Sequence, residues 1–338
     1  MNYYCQHIDL DNKKEWEELV KNNPAGGFHQ SFDWAVFKQS TNWQSYKIGV
    51  YDKDKLVAGA LVLKFAFSNG TNFLYLPEGP ILELNNEKKA YWQWRALETA
   101  IHSIVSLDKD NKTTHIRIEP RAEKVPEFLL HRFSKAPINL QPRHTEEINL
   151  DQTQEELLKN MKQKCRYNIK LSQKNGVQVK ELPLSEIQIF FNLYKDTLKR
   201  NKFDGQSLEF FKNYIQSCSD FSKLFVAYKD QEVLASSITI FYGDRVTYLY
   251  GASSNQNKKL MAPYALHWHI IQHAKKLSFK TYDFWGIAKD SKDENHPWYG
   301  ITRFKKQFGG TQQNFIGAYD YIINPELYDE FVKKHELN

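Results

Sequence analysis

"VYDKDKLVAGALVL", residues 50–63, has a partial copy later in the chain, "AYKDQEVLASSITI", residues 227–240. Each copy has the pattern of a β-strand, a polar turn containing Lys-Asp, and a second strand that begins with small residues. Tyr51 aligns with Tyr228, and the apolar positions after the turn also correspond. The pair predicts an internal repeat, and chance likeness between two strand–turn–strand segments is the alternative.

The similarity continues beyond these hairpins. In each copy an aromatic strand runs into a glycine-containing loop, a helical pattern follows, and a short strand with a charged end comes last. In the first copy these parts are 73–82, 87–105 and 115–120, and in the second they are 246–254, 262–277 and 282–287. A meander followed by a helix and a further strand, twice, predicts an α/β protein of two similar units. We expect the proline-containing segment 134–151 to connect these units or to pair with them.

The composition is that of a globular protein. The chain has 338 residues, of which 41% are hydrophobic and 25% charged, which suits about two domains. No apolar run approaches the roughly 20 residues of a membrane span, and the N-terminus lacks a signal-peptide core. We therefore expect a cytoplasmic protein, and a monomer. Cys5, Cys165 and Cys218 are widely separated, which favours neither a disulfide framework nor a metal site.

Positive charge gathers in residues 153–179, although the net charge of +6 is modest. Thr153 and Glu156 match a capping box, and the apolar spacing that follows predicts a single helix ending at Asn175-Gly176. Its basic residues recur at helical spacing: Lys159, Lys162, Arg166 and Lys170. A solvated helix face and a surface for a polyanion are both open interpretations. Further basic clusters lie at 194–203 and 303–310.

Several common catalytic motifs are absent from the sequence. There is no phosphate-binding P-loop, no dinucleotide-binding glycine motif and no nucleophile elbow. His267, His269 and His273 share a predicted helix without an H-E-x-x-H pattern, so we expect structural or surface roles. The turn before that helix, 255–266, contains no glycine, which argues against coenzyme A held on a glycine-rich turn.

Six segments together resemble the FemABX family of peptidoglycan-bridge aminoacyltransferases. They occur in the family's order and span nearly the whole chain: "HQSFDWAVFK" (29–38), "LYLPEGPIL" (74–82), "RYNIKLSQKNGV" (166–177), "YKDTLKRNKF" (194–203), "YLYGASS" (248–254) and "YDFWGIAKD...GITRFKKQFGG" (282–310). The resemblance implies two tandem acetyltransferase-like (GNAT) domains, the first comprising 1–148 plus 318–338 and the second 149–317.

The resemblance also implies an activity. Aminoacyl-tRNA would be the donor and co-substrate, with no other cofactor. The acceptor would be the stem-peptide amine of UDP-MurNAc-pentapeptide or lipid II, the latter with peripheral membrane contact. No helical arm is inserted after residue 203, as in the compact members of the family. The alternatives are transfer to a different amine acceptor, a coenzyme A acetyltransferase, and a non-catalytic RNA-binding module.

Site residues are carried over by motif. Lys38, Arg200 and Tyr250 match positions that contact the precursor diphosphate; without the resemblance, Lys38 would be a surface lysine and Arg200 a helix C-terminal cation. Lys305 matches the lysine of an FKxxF segment and would stabilise the oxyanion or neutralise tRNA phosphate. Glu119 matches an acid considered as general base, with an ion pair to a flanking arginine as the alternative.

The remaining predictions concern the basic segments. We assign Arg166, Lys170, Lys162 and Lys306 to tRNA binding. In 282–310 we expect a strand to residue 287, a loop over 288–300, and a short helix or turn anchored by Phe304 and Phe308.

Overall fold

The computed structural model of the chain describes residues 3–201 and 204–336. These residues form two compact units, one comprising the chain up to 143 together with the chain from 314, and the other comprising 144–313. The sequence-based boundaries differ slightly, because residues 144–148 belong to a strand of the second unit's sheet rather than to the first unit.

Helices and strands follow one another in this order. The chain up to 143 contains β1 (Tyr3–His7), α1 (Lys13–Asn22), α2 (Phe32–Gln39), β2 (Trp43–Asp52), β3 (Lys55–Ala66), β4 (Asn72–Pro77), α3 (Glu87–Ser106), β5 (Thr113–Glu119), α4 (Glu127–Leu130) and β6 (Ser134–Lys135). The second unit contains β7 (His144–Asn149), α5 (Gln154–Asn160), α6 (Gln163–Lys174), β8 (Gln178–Leu182), α7 (Ile187–Asn201), α8 (Leu208–Cys218), β9 (Ser222–Lys229), β10 (Glu232–Tyr242), β11 (Arg245–Ser253), α9 (Ala262–Lys276), β12 (Thr281–Gly286), α10 (Tyr299–Lys305) and β13 (Thr311–Asn314). The chain ends with β14 (Tyr319–Ile322) and α11 (Pro325–Glu336).

The two sheets have matching strand orders. Within the described residues the first is β1-β2-β3-β4-β5-β14-β6 and the second is β8-β9-β10-β11-β12-β7-β13. In each sheet a helix, α3 or α9, links two parallel neighbours, β4 to β5 or β11 to β12, as a parallel pair requires. Each helix packs its apolar residues on its own sheet. None of the described helices combines the length and the apolar character needed to cross a membrane.

The repeat seen in the sequence is reproduced residue by residue. The turns that join β2 to β3 and β9 to β10 place Lys53 at φ 56° and Asp230 at φ 54°, and these residues occupy equivalent positions of the two copies. The register of each hairpin then shifts at one extra residue, Val57 in β3 and Leu234 in β10. A shared turn and a shared bulge confirm the internal repeat and exclude chance likeness.

The chain passes between the two sheets twice. After β6 it supplies β7 to the second sheet, and after β13 it returns to supply β14 between β5 and β6 of the first. A buried ion pair fixes the returning strand, because Arg117 donates to both carboxylate oxygens of Asp320 at 2.7 Å. Tyr328 of α11 donates to the same carboxylate at 2.9 Å. The C-terminal segment is therefore an integral part of the first unit.

The single basic helix predicted over 153–179 is wrong. The capping box of Thr153 and Glu156 forms, but α5 ends at Asn160, and Met161 and Lys162 are extended with ψ near 148°. A second helix, α6, then begins. The four basic residues therefore do not share one continuous helix face. Lys159 lies in α5, which ends before Lys162, Arg166 and Lys170.

Asp320→Ala should lower the free energy of unfolding of the first unit by about 3–5 kcal/mol, because Arg117 would stay buried without its partner. Denaturant unfolding followed by circular dichroism measures the change. Asp329→Ala, on the exposed side of α11, is the matched control. A loss no larger than that of the control would contradict this role.

Candidate active site

Parallel strands β11 and β12 separate part-way along their length. They pair from Arg245 opposite Thr281 to Thr247 opposite Asp283. Beyond this point each strand has a bulge: Leu249 is the extra residue of β11 against β10, and β12 shifts register against β7 between Asp283 and Gly286. Because bulges bend and twist a strand, the ends of β11 and β12 diverge and leave a gap in the sheet.

The equivalent strands of the first unit stay together. β4 and β5 pair as far as Pro77 opposite Glu119, their final residues. The buried side chain of Gln30 donates to the Pro77 carbonyl and accepts from the Leu61 N–H. The pair of strands that separates in the second unit thus stays hydrogen-bonded to its end in the first.

A cavity of about 420 Å³ lies at this gap in the second unit. Its walls come from β11, the first turn of α9, α10 and the end of α7. The lining residues include Tyr248 and Gly251 of β11, Arg200 of α7, and Phe304 and Lys305 of α10. The volume falls within the range of small-molecule sites.

The bulge at Leu249 places two tyrosines on opposite faces of β11. The ring of Tyr248 contacts His267 of α9 at 4.4 Å between centroids, whereas that of Tyr250 contacts Phe211 of α8 at 5.1 Å. Simple alternation would put both tyrosines on one face. A Cβ on Gly251 would lie 1.5 Å from the Tyr248 hydroxyl oxygen, so the glycine makes room for this ring.

Lys305 is buried beside the gap. Its Nζ donates to the carbonyl oxygen of Gly286 at 2.7 Å, and Gly286 lies beyond the last residue of β12 that pairs with β11. Burial lowers the pKa of Lys305 to about 7, and the negative charge of Asp283 opposes this shift. The site thus holds a lysine that changes protonation near neutral pH.

His267 has the structural role that we expected. Its Nδ1 lies 2.7 Å from the Tyr282 hydroxyl oxygen, and its ring packs against Phe284 and Phe308. Burial, helped by the charge of Lys305, lowers the pKa of His267 to about 3. It is therefore neutral wherever Lys305 titrates.

Three residues are predicted to contact the precursor diphosphate. One of them, Arg200, lines the cavity together with Lys305. Its Nη1 donates to the Ser253 carbonyl at 2.9 Å, at the end of β11. Tyr250 lies on the α8 side of the same strand. Lys38, in the first unit, has its Nζ 4.5 Å from the centre of the Trp43 ring, and burial lowers the pKa of Lys38 to about 8.

Glu119 is held by neutral donors. It accepts from the Tyr75 hydroxyl at 2.6 Å and from the N–H groups of Leu140 and Gln141 at 3.1 and 3.0 Å. Burial raises the pKa of Glu119 to about 7. The guanidinium of Arg117 binds Asp320 instead. These contacts favour a role in fixing the 140–141 segment, and its role as a base stays a prediction.

The four residues assigned to tRNA have different surroundings. Arg166 donates to the carbonyls of Leu158, Lys159 and Met161, so it caps the C-terminus of α5. Lys306 donates to Gln312. In contrast, Lys162 and Lys170 are exposed. An aromatic residue between them, missed in the sequence, is also exposed: Tyr167 at 62%.

The glycine-free turn before α9 has the backbone conformation that glycine usually supplies. Asn257 and Met261 have φ values of 52° and 56°, in the left-handed region where glycine is favoured. Their side chains, with Lys258, line the cavity. The lack of glycine therefore does not prevent this turn from forming, and only the bulk of these residues counts against coenzyme A.

A family model described as the FemAB family matches residues 12–124, 131–232 and 218–333. The chain belongs to the FemAB family. Among curated relatives, a Lipid II:glycine glycyltransferase of Staphylococcus epidermidis is 24% identical over 401 residues, covering 96% of this chain and 94% of the relative.

Solved structures confirm the fold class of a FemAB family member. The crystal structure of FemX has a TM-score of 0.84 at 22% identity, covering 98% of this chain and 100% of FemX. A tandem GNAT protein from the clavulanic acid biosynthesis pathway has a TM-score of 0.56 at 9% identity, covering 96% of this chain and 99% of that protein. The prediction of two tandem GNAT-like units is thus confirmed.

Lys305→Met should raise the melting temperature, most strongly near about pH 6. Free lysine titrates near 10.4, so lowering the pKa of Lys305 to about 7 makes burial of the ammonium costly below that pH. The cost falls as pH rises from about 7 towards 10, since the unfolded chain then binds the extra proton.

Thermal unfolding from about pH 6 to 9 would measure this difference against Lys276→Met, an exposed lysine of α9. We expect the difference in melting temperature between Lys305→Met and wild type to become smaller as pH rises. A difference that is constant across this range, as for the control, would show that Lys305 is not buried as a cation.

Proposed function

We propose that this chain transfers an amino acid from aminoacyl-tRNA to the stem-peptide amine of a peptidoglycan precursor, forming the interpeptide bridge. Membership of the FemAB family and the staphylococcal glycyltransferase relatives support bridge aminoacyl transfer. The observation that carries the proposal is the buried Lys305 beside a cavity at the gap between β11 and β12.

The chemistry is attack of an amine on an ester. The amine nitrogen forms a bond to the ester carbonyl carbon, the carbonyl oxygen becomes an oxyanion, and the bond to the ribose oxygen of tRNA then breaks. The amine loses a proton and the departing ribose oxygen gains one, so the reaction is balanced. A preorganised cation stabilises such an oxyanion strongly in a dry site, and the Lys305 ammonium would supply this charge.

Substrate contacts are proposed on the same basis. Arg200 and Tyr250 in the second unit, and Lys38 in the first, keep their predicted roles towards the precursor diphosphate, since an arginine, a phenol and a lysine are all suitable donors. The exposed Lys162 and Lys170 would bind tRNA. We place the reaction in the cytoplasm, at the membrane surface if lipid II is the acceptor.

The test is a transfer reaction with purified protein and a mixture of aminoacyl-tRNAs. UDP-MurNAc-pentapeptide and lipid II are supplied in separate reactions, and products are analysed by mass spectrometry. We expect one of the two acceptors to gain the mass of an aminoacyl residue, and the mass identifies the amino acid. Absence of product with both acceptors contradicts the proposal. Acetyl-coenzyme A in place of tRNA tests the acetyltransferase alternative and should give no product.

Lys305→Ala should lower kcat by about 100-fold or more, because the oxyanion loses its stabilising charge. The dissociation constant for the precursor should change by less than about twofold, since Arg200, Tyr250 and Lys38 would still bind the diphosphate. Single-turnover kinetics and calorimetry separate the two effects. Lys289→Ala, an exposed lysine after β12, is the control, and a large loss of precursor affinity in Lys305→Ala would contradict this assignment.

The double variant Lys162→Ala/Lys170→Ala should weaken tRNA binding and reduce the slope of log K against log salt by about 1 to 2, because each lysine releases counterions from phosphate. Lys135→Ala, an exposed lysine of β6, should leave the slope unchanged. An unchanged slope in the double variant would remove these residues from the tRNA surface. Arg166→Ala should instead lower the melting temperature, because it uncaps α5.

A further inference from the structure

A buried carboxylate lies at the bulge of β12. Asp283 is fully buried, and its Oδ1 accepts from the backbone N–H of Trp285 at 2.8 Å and from the Thr145 hydroxyl. Trp285 has a φ of 63°, which is strained for a bulky residue without glycine's freedom. The hydrogen bond from Trp285 to Asp283 therefore stabilises a conformation that the tryptophan would not adopt alone.

This local conformation sets the position of the next carbonyl. Gly286 follows Trp285 directly, and its carbonyl oxygen accepts from the Lys305 Nζ. Asp283, Trp285 and Gly286 therefore form a continuous connection from a buried acid, through a strained backbone, to the candidate catalytic lysine. The sequence predicts an ordinary strand over 282–287, in which Asp283 has no assigned role.

The charge of Asp283 also reaches Lys305. Titratable and charged groups on the elements around this lysine include His267, Tyr248, Tyr264, Tyr282, Glu146 and Arg303, and Arg200 lines the same cavity. His267 is neutral at neutral pH, because burial lowers its pKa to about 3, and burial raises the pKa of the three tyrosines. Glu146 lies 3.7 Å from the neighbouring Lys306, and Arg303 donates to the Tyr299 hydroxyl. Asp283 is the group whose charge favours the Lys305 ammonium.

We propose that Asp283 is a positioning residue for Lys305: its carboxylate fixes the β12 bulge that turns the Gly286 carbonyl towards the lysine, and its negative charge favours the ammonium form. The catalytic consequence rests on the proposed function, in which Lys305 acts as a cation. The electrostatic part concerns the folded protein alone and holds whatever the substrate.

Asp283→Asn separates the charge from the geometry, because the amide oxygen can still accept from Trp285 and Thr145. Asp244→Asn, an exposed residue of the turn between β10 and β11, is the matched control. The primary measurement is an NMR titration of the Lys305 side chain in protein with isotope-labelled lysine, assigned with Lys305→Met. We expect Asp283→Asn to lower the pKa of Lys305 by about 1 or more, and Asp244→Asn to leave it unchanged.

The kinetic readout uses the pH dependence of kcat/KM. The wild-type profile of kcat/KM should change slope at about pH 7, and this change should be absent from Lys305→Met. In Asp283→Asn it should move to lower pH by the same amount as the pKa of Lys305 measured by NMR. At about pH 8 the variant should then be about tenfold slower, with the defect disappearing towards about pH 5. A purely structural role would instead lower kcat/KM equally at every pH.

An unchanged NMR titration of Lys305 in Asp283→Asn overturns the proposal, whatever the activity. If no transferase activity is found with any acceptor, the proposed function fails while the titration still decides this inference. Should Asp283→Asn not fold, Asp283→Ser serves the same comparison, since a serine hydroxyl can accept from the N–H two residues on. A pKa that falls in Asp283→Ser supports the proposal, and one that does not fall overturns it.

Discussion

The separation of β11 from β12 is the constraint on which the site depends. Hydrogen bonds normally hold parallel neighbours together along their length, and here a bulge in each strand ends the pairing after Thr247 and Asp283. Residues of β11 beyond this point line a cavity, and the backbone groups that are no longer paired need new partners. Lys305 provides one of these partners at the Gly286 carbonyl.

Stability and chemistry oppose each other at this lysine. An ammonium group loses most of its hydration when buried, and a hydrogen bond to one carbonyl and a nearby carboxylate offset only part of that cost. The pKa of Lys305 therefore falls to about 7. The same dry surroundings would strengthen its effect on a negative charge that develops in the cavity. The burial that lowers the pKa of Lys305 thus also places its ammonium form where it could stabilise a negative charge.

The two units share one pattern and differ at the end of the parallel strand pair. They share the turn at Lys53 and Asp230, the bulge that follows it, and the strand order. In the first unit β4 and β5 stay paired to their final residues, the Gln30 side chain links β3 to the end of β4, and Glu119 accepts from the backbone of the 140–141 segment. The first unit retains the scaffold, while the second holds the gap with its buried lysine.

The sequence by itself determined the repeat, the α/β class and the family, because strand alternation, helix spacing and turn residues are local signals that survive in each copy. It also determined the capping box at Thr153, which involves residues three positions apart. Only the tertiary structure decided the break after Asn160, the partner of Arg166 and the opposite faces of Tyr248 and Tyr250. It also decided the ion pair that returns β14 to the first sheet. That ion pair joins residues 203 positions apart, and the other features depend on a bulge, a turn or a side-chain contact that no short motif encodes.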